Sequence, residues 1–223
     1  LVGLFACVPP DDHRPANQII TIDLSAQQVQ HLYNLRDEGR TDSLLAYLSH
    51  PSATMRYLAA LSFASVRDSN AVEPLVPLLG DTLEEIRIVA AFALGQIGSA
   101  RAELPLLAAF RQDDSLSRHQ RFNAVILEAV GKCGSPINLA HIATVSTYYP
   151  TDTLLLEGQC RALYRYAMRG MTDKAGTARM VSYVANERMP GSARLMAAHY
   201  LARTPEVVPD SAQAVELAAA FVR

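Results

Sequence analysis

The feature that most constrains this chain is an internal repeat of apolar residues. The segment from Leu44 to Val66 reappears 31 residues later, from Leu75 to Ile97, with apolar residues at nearly all matching positions. Each copy has the spacing of two amphipathic helices joined by a short turn. Helical hairpins repeated at this period are typical of an α-solenoid, in which a unit buries its apolar face only against its neighbours. The sequence therefore predicts an all-α fold.

The pattern continues along the chain as about five hairpins, with terminal capping helices outside them. Gly95 and Gly131 recur at one repeat position, which predicts a close approach of neighbouring helices there. The third unit carries an insertion of about five residues near the sequence RQDDSLSRH, which we assign to a loop. The fourth unit is degenerate, and the fifth recovers the pattern, with Arg194 at the position of Arg87.

Several polar residues are placed to begin or end helices. Gly98 follows the apolar pattern of the second unit and is expected to end its second helix. A residue with a short polar side chain, followed three positions later by Glu or Gln, is the pattern of a capping box. It predicts helix starts at Ser25 with Gln28, Asp81 with Glu84, and Asp210 with Gln213.

The N-terminal residues differ from the repeats. Leu4, Ala6 and Cys7 have the spacing of a lipobox, and the segment resembles the end of a bacterial lipoprotein signal peptide. The resemblance implies that Cys7 carries lipid and that the protein lies in the bacterial cell envelope, facing the periplasm or the surface. The alternative is an apolar terminus of no special function. We predict a signal end and lipobox at residues 1–7, a proline-rich tether at 8–23 and a repeat domain at 24–223.

Composition limits the possible partners. Lys and Arg total 20 against 22 Asp and Glu, which leaves no positive field to attract a polyanion, so we expect no nucleic-acid partner. No apolar run of about 18 residues is present, so we expect membrane contact only through lipid on Cys7. The remaining cysteines, Cys133 and Cys160, are predicted to be small core residues.

The sequence contains no pattern typical of a catalytic or metal site. The six histidines are scattered without a metal-ligand spacing. Carboxylates cluster only at predicted helix starts, where the helix dipole accounts for them. We therefore predict no catalytic residues, no metal and no cofactor.

One group of residues is a candidate for partner binding. Arg161, Arg165 and Arg169 follow one another at intervals of four, beside Tyr164, and we call these four residues the arginine stripe. Arginine and tyrosine are common anchors of protein interfaces. The alternative is a solvated helix face on which Glu157 pairs with Arg161.

The second unit resembles HEAT repeats, including the HEAT-like variants of PBS-lyase type. The matching residues are Asp81, Arg87, Ala90, Ala91, Leu94, Gly95 and Gly98. The resemblance implies that Arg87 pairs with Asp81 and binds the turn of its own or the adjacent repeat. The first unit has His50 where Asp81 stands, so we expect Arg56 to lack this partner. The fourth unit has no matching arginine.

A narrower resemblance covers nearly the whole chain. The repeats, including LLEGQCRALYRYAMRG, look like the N-terminal array of envelope lipoproteins that carry a cyclophilin-type peptidyl-prolyl isomerase domain further on. Two functions follow from this. The first is a non-catalytic scaffold that binds client or partner proteins on a solenoid surface. The second is a region that presents substrates to an isomerase domain beyond residue 223. A third, bilin-lyase-like activity rests on the repeat subclass alone.

Overall fold

The computed structural model describes residues 20–147, 152–204 and 209–221, and in these ranges it contains α-helices and no strand. The predicted lipobox at 1–7 and most of the predicted tether at 8–23 lie outside the described residues. The helices are α1 (Gln27–Asp37), α2 (Thr41–Leu45), α3 (Ala53–Val66), α4 (Val72–Leu75), α5 (Glu84–Ile97), α6 (Glu103–Ala109), α7 (Gln120–Cys133), α8 (Leu139–Thr144), α9 (Thr153–Met168), α10 (Lys174–Ala185), α11 (Gly191–Arg203) and α12 (Ser211–Phe221).

The helices form two rows. The second helices of the five units, α3, α5, α7, α9 and α11, each pack against the next. The first helices form the other row, in which α10 lies between α8 and α12. Helix α1 covers α3 at the N-terminal end, and α12 extends the row of first helices at the other end. The predicted all-α solenoid of five hairpins with terminal helices is therefore confirmed.

The first helices are short and continue into 3-10 turns. Such turns lie at Ala46–Ser49, Ser69–Ala71, Val76–Gly80, Ala100–Ala102 and Pro136–Asn138. Proline lacks an amide hydrogen, so Pro77 cannot continue the α-helical hydrogen bonding of α4. The second helices have no internal proline and run for 13 to 16 residues. The row of second helices is consequently the regular element of the array.

The core follows the repeated apolar pattern. Ile86, Ala90 and Leu94 of α5 are completely buried, and Phe63 of α3 and Phe122 of α7 lie in the same core. In the part of the chain that the structure describes, no helix combines the length and apolar character needed to cross a bilayer.

The two repeated glycines lie where neighbouring second helices touch. A Cβ atom added at Gly95 would lie 2.8 Å from both Cα and Cβ of Ala129. One added at Gly131 would lie 2.7 Å from Cα of Ala162. These distances are shorter than carbon atoms tolerate, so the predicted close approach is confirmed at both glycines.

The helix ends confirm some of the predicted caps and correct others. Asp210 and Gln213 form the reciprocal capping bonds, both of 2.9 Å, at the start of α12. Gly98 ends α5 with a φ of 71°. The prediction at Ser25 is wrong, because its N–H and hydroxyl both donate to Asp23 and α1 begins only at Gln27.

The capping box at Asp81 is also wrong. Helix α5 begins at Glu84, and its N-cap residue, Leu83, makes no side-chain capping bond. Asp81 Oδ1 instead accepts the N–H of Leu83 at 3.0 Å, and the same carboxylate binds Arg56. The carboxylate thus shapes the turn before the helix and joins two units.

Candidate protein-binding surfaces

One repeat position of the second helices donates to the turn that precedes it in all five units. We call it the donor position. Arg56 Nη1 donates to the carbonyl oxygens of His50 and Pro51 at 2.9 and 3.0 Å. In the next unit Arg87 Nη1 donates to those of Asp81 and Thr82 at 2.9 and 3.2 Å. The two arginines thus make equivalent bonds, because carbonyl groups left free at the end of a helix need donors.

The arginine contacts of the first two units correct our prediction. Arg56 does have a partner, since its Nε lies 2.9 Å from Oδ2 of Asp81 in the following unit. Arg87 binds the main-chain oxygen of Asp81, and its guanidinium lies over the Phe122 ring at 5.6 Å. The acidic turn residue therefore pairs with the arginine of the preceding unit. The sequence of one unit could not indicate which of the two arginines it would meet.

Amides replace arginine at the donor position of the next two units. The Asn123 side chain donates to the carbonyl of Arg111 and accepts its N–H, both at 2.9 Å. Gln159, fully buried, donates to the carbonyls of Ile142, Ala143 and Val145. Gln159 stands where the family pattern places an arginine, and the pattern therefore did not indicate it. The spacing of 36 residues from Arg87 to Asn123, and again to Gln159, is the signal that identifies it.

In the fifth unit Arg194 holds the donor position. Its Nε donates to the carbonyl of Val184 at 3.3 Å, near the end of α10. Each unit thus joins its two helices through a side chain that binds main-chain oxygens. The donor position therefore holds the two helices of each hairpin together.

The arginine stripe lies on α9, and each of its arginines has a partner within the array. Arg161 pairs with Glu157 at 3.0 Å on the same helix. Arg165 pairs with Glu128 of α7 at 3.0 Å. Arg169 donates to the carbonyls of Gly131 and Gly134 at 3.1 and 2.8 Å. Tyr164 is half-buried beside them. Two of the three arginines therefore join α9 to α7, and the partner-binding role of the stripe stays a prediction.

Glu128 is shared between two helices. Lys132 of α7 and Arg165 of α9 lie 3.1 and 3.0 Å from its Oε1. Burial raises the pKa of Glu128, but attraction and hydrogen bonds from Lys132 and Arg165 outweigh burial, and the net pKa is lowered. The ionised carboxylate is therefore favoured by the folded state.

We expect Glu128→Gln to reduce the pH dependence of stability. Because the folded-state pKa lies below the ordinary value of 4.5, the carboxylate stabilises the fold above pH 4.5. This contribution is lost as the pH falls through the folded-state pKa. Urea unfolding of both proteins from pH 7 to pH 3 measures the difference. A gap between wild type and variant that stays constant over this range would contradict the prediction.

A row of partly exposed side chains follows the outside of the second helices. It occupies one repeat position in successive units, and we call Leu61, Phe92, Glu128, Tyr164 and His199 the outer ridge. Phe92 is 37% exposed, and Lys132 Nζ lies 5.3 Å from its ring centre. Leu61 and Tyr164 are half-buried and His199 is exposed. The ridge presents apolar and aromatic groups beside charged pairs.

A depression lies beside the first helices of the third and fourth units, α6 and α8, and is also lined by α7 and α9. A cavity of about 480 Å³ between the third and fourth units is lined by apolar and polar side chains, among them Leu107, Phe110, Arg111, Asn123, His141 and Leu155. An open depression of about 670 Å³ adjoins it and shares Leu107, Phe110, Arg111 and Gln112. We call the two together the third-unit groove. The inserted loop of the third unit borders both parts.

The two described cysteines are buried, and the described residues contain no metal-binding cluster. Cys133 and Cys160 are buried in the core, as predicted. Burial, with Glu103 nearby, raises the pKa of Cys133 to about 11, and burial likewise raises the pKa of Cys160. Their thiolates are therefore scarce at neutral pH. Over 20–147, 152–204 and 209–221, no group of three His, Cys, Asp or Glu residues could hold a metal ion.

Comparison with known proteins identifies the repeats. Residues 41–136, from α2 to the end of the third unit, match the family model of HEAT repeats. The matched part of the helical array is therefore similar to HEAT repeats. HEAT repeats generally mediate contacts between proteins, so a protein-interaction scaffold is the general function that the match supports. No curated protein matches the chain. The narrower resemblance to envelope lipoproteins with an isomerase domain stays a prediction.

Proposed function

We propose that this protein is a non-catalytic scaffold of the bacterial cell envelope, held to the membrane by lipid on Cys7. It binds extended segments of client or partner proteins along the outer ridge. The observation that carries the proposal is the unbroken row of second helices, which presents Phe92, Tyr164 and their charged neighbours at regular intervals. Regular spacing over several units suits an extended chain, which can contact one unit after another.

The chemistry of the ridge supports protein binding. Phe92 and Tyr164 offer aromatic surface, and the Arg161 side chain is 38% exposed while it pairs with its helix neighbour Glu157. Aromatic groups and arginine contribute much of the binding energy at protein interfaces. Because Arg161 is more exposed than Glu157, a client carboxylate can reach the guanidinium from the solvent side while Glu157 stays beside it.

Binding of an unfolded protein tests the scaffold. Reduced, carboxymethylated α-lactalbumin, which stays unfolded in native buffer, serves as the probe, and native α-lactalbumin serves as its control. We expect micromolar binding of the unfolded form alone, weakened about fivefold by Phe92→Gln or Arg161→Gln, since interface truncations commonly cost about 1 kcal/mol or more.

Arg40→Gln is the matched control for Arg161→Gln. Arg40 is an exposed arginine outside the ridge, and its loss changes the net charge equally. Unchanged binding should therefore accompany Arg40→Gln. If Phe92→Gln and Arg161→Gln both bind the unfolded probe as tightly as wild type, the outer ridge and the adjoining Arg161 are not the binding surface. Absence of any binding by the wild type would remove the scaffold proposal.

Membrane fractionation tests the anchor. Leu4, Ala6 and Cys7 support lipid attachment by their spacing. In a bacterium that processes lipoproteins, we expect a precursor with a complete signal peptide to partition into membranes when it carries Cys7. The Cys7→Ala form should lack the lipid and the mass that the lipid adds. Equal fractionation and equal mass of the two forms would contradict the anchor.

A further inference from the structure

The third-unit groove exists because the third unit is longer than its neighbours. Helix α6 ends at Ala109 and α7 begins only at Gln120, whereas in the second unit the 3-10 turn that continues α4 runs to Gly80 and α5 begins at Glu84. Asp114 shapes this loop, since its carboxylate accepts the N–H groups of Arg118 and His119 at 2.7 and 3.0 Å. Hydrogen bonds within the loop therefore hold it beside the end of α6, and the loop does not fill the cavity.

The acidic and amide side chains of the cavity are already bonded. Asp114 holds the loop, and Asp152 Oδ1 accepts bonds from Ser117 and Gln120, both of 2.7 Å. Asn123 is engaged with the main chain of Arg111. Asn138 donates to Glu103 at 2.7 Å. These groups fix the walls and have little capacity left for a ligand.

By contrast, the side chains of Arg111 and His141, which also line the cavity, form no bond in the described part of the chain. Arg111 is exposed, and within the described ranges its guanidinium makes neither a hydrogen bond nor an ion pair. His141, on the opposite wall, is exposed and its ring is likewise unbonded within those ranges. Asp113 lines only the adjoining depression. Asp114 and Asp152 also line the cavity but are engaged with the loop, so the charged group left to a ligand is the Arg111 guanidinium, and a carboxylate complements it.

Apolar side chains form much of the remaining wall of the cavity. They belong to four elements or their ends, namely Leu107, Phe110, Ile126, Leu127, Ile142, Val145 and Leu155. About 480 Å³ accommodates a branched aliphatic side chain with part of its main chain. The adjoining depression continues past Phe110 and Arg111 toward Arg87 and His119. A groove that extends over two units fits a chain better than a small free acid.

We propose that the third-unit groove binds a partner polypeptide that places an aliphatic side chain in the cavity and a neighbouring carboxylate on Arg111. The inference rests on the proposed scaffold function and specifies the chemistry of one client segment. The apolar walls supply burial, and the guanidinium supplies a charge-assisted hydrogen bond. Selectivity for acidic segments follows, because only a carboxylate gives the Arg111 guanidinium an ionic partner.

Peptide titration of the whole chain tests the groove. The probe is a short acetylated and amidated peptide with leucine between two glutamates, followed by fluorescence anisotropy. We expect saturable binding that weakens about tenfold when the leucine is replaced by alanine or the glutamates by glutamine, as for loss of a buried contact or a charged hydrogen bond. The free acid 4-methylpentanoate should bind at least tenfold more weakly than the peptide.

Variants locate the site. Arg111→Gln should weaken the peptide about tenfold, whereas Arg118→Gln, an exposed arginine of the same loop outside the groove lining, should not. Ser146→Trp places a large ring at the exposed rim of the cavity and should block the peptide. Unchanged thermal unfolding of each variant shows that the fold is retained.

Several results would overturn the proposal. Equal peptide binding by Arg111→Gln and wild type removes the carboxylate contact, and equal binding by Ser146→Trp removes the cavity. Binding of the free acid as tight as the peptide would make the site one for a small carboxylate. If the wild type binds unfolded α-lactalbumin but not the peptide, the groove inference fails while the scaffold stands. If it binds neither, both fail.

Discussion

Gly95→Val should destabilise the array by about 1–3 kcal/mol, the usual cost of overpacking a closed core. Even the first added carbon would lie 2.8 Å from Cα and Cβ of Ala129, and valine adds two more. The neighbour cannot yield easily, because one contacting atom is main chain of α7. Helix propensity favours valine over glycine, so the expected loss has the opposite sign to the local preference. Urea unfolding monitored by circular dichroism measures it.

Gly191→Val is the matched control. Gly191 begins α11, and an added Cβ there meets no atom within 4 Å. Its stability should equal or slightly exceed that of the wild type. A Gly95→Val midpoint as high as that of Gly191→Val would show that α5 and α7 can move apart without cost.

Gln159→Leu should also be strongly destabilising, by about 2–5 kcal/mol, from several buried groups each left unbonded at about 1–3 kcal/mol. The variant removes the donor for the carbonyls of Ile142 and Val145 and the acceptor for the Tyr183 hydroxyl. The carbonyl of Ala143 keeps a bond from Arg179 at 2.9 Å. Leucine has a similar volume, so the loss reports hydrogen bonds rather than a cavity.

Gln96→Leu controls for the chemical change. Gln96 is half-buried on α5 and makes no side-chain hydrogen bond in the part of the chain that the structure describes. We expect a change of at most about 0.5 kcal/mol, as is usual for substitutions away from such networks. Equal stability of Gln159→Leu and Gln96→Leu would contradict the role that we assign to the donor position.

The Gly95→Val and Gln159→Leu substitutions both act at contacts between helices or units. These two contacts differ in how well the sequence predicts them. The pairing of Gly95 and Gly131 was predictable because a residue without a side chain recurs where each unit must contact the next. Gln159 was not recognised, because the family pattern directed attention to arginine. Its function depends on reaching main-chain oxygens, which arginine, asparagine and glutamine can all do.

The candidate binding surfaces were less predictable. The arginine stripe lies on one helix, as its spacing indicates, but its contacts with α7 depend on how α9 lies against that helix. The third-unit groove was not foreseen, although the insertion that borders it was. An insertion in the sequence shows that a loop exists, and only the path of that loop decides whether a cavity stays open beside it.

The sequence by itself determined the all-α class, the number of hairpins and the position of the close contacts. These depend on apolar periodicity and glycine placement, which are local and repeat from unit to unit. Only the tertiary structure decided that Asp81 pairs with Arg56 rather than with the Arg87 side chain, and that the Arg111 guanidinium, at a cavity, has no bond to any described residue. Partner choice for a charged group depends on distances between units, and the linear repeat leaves these distances undefined.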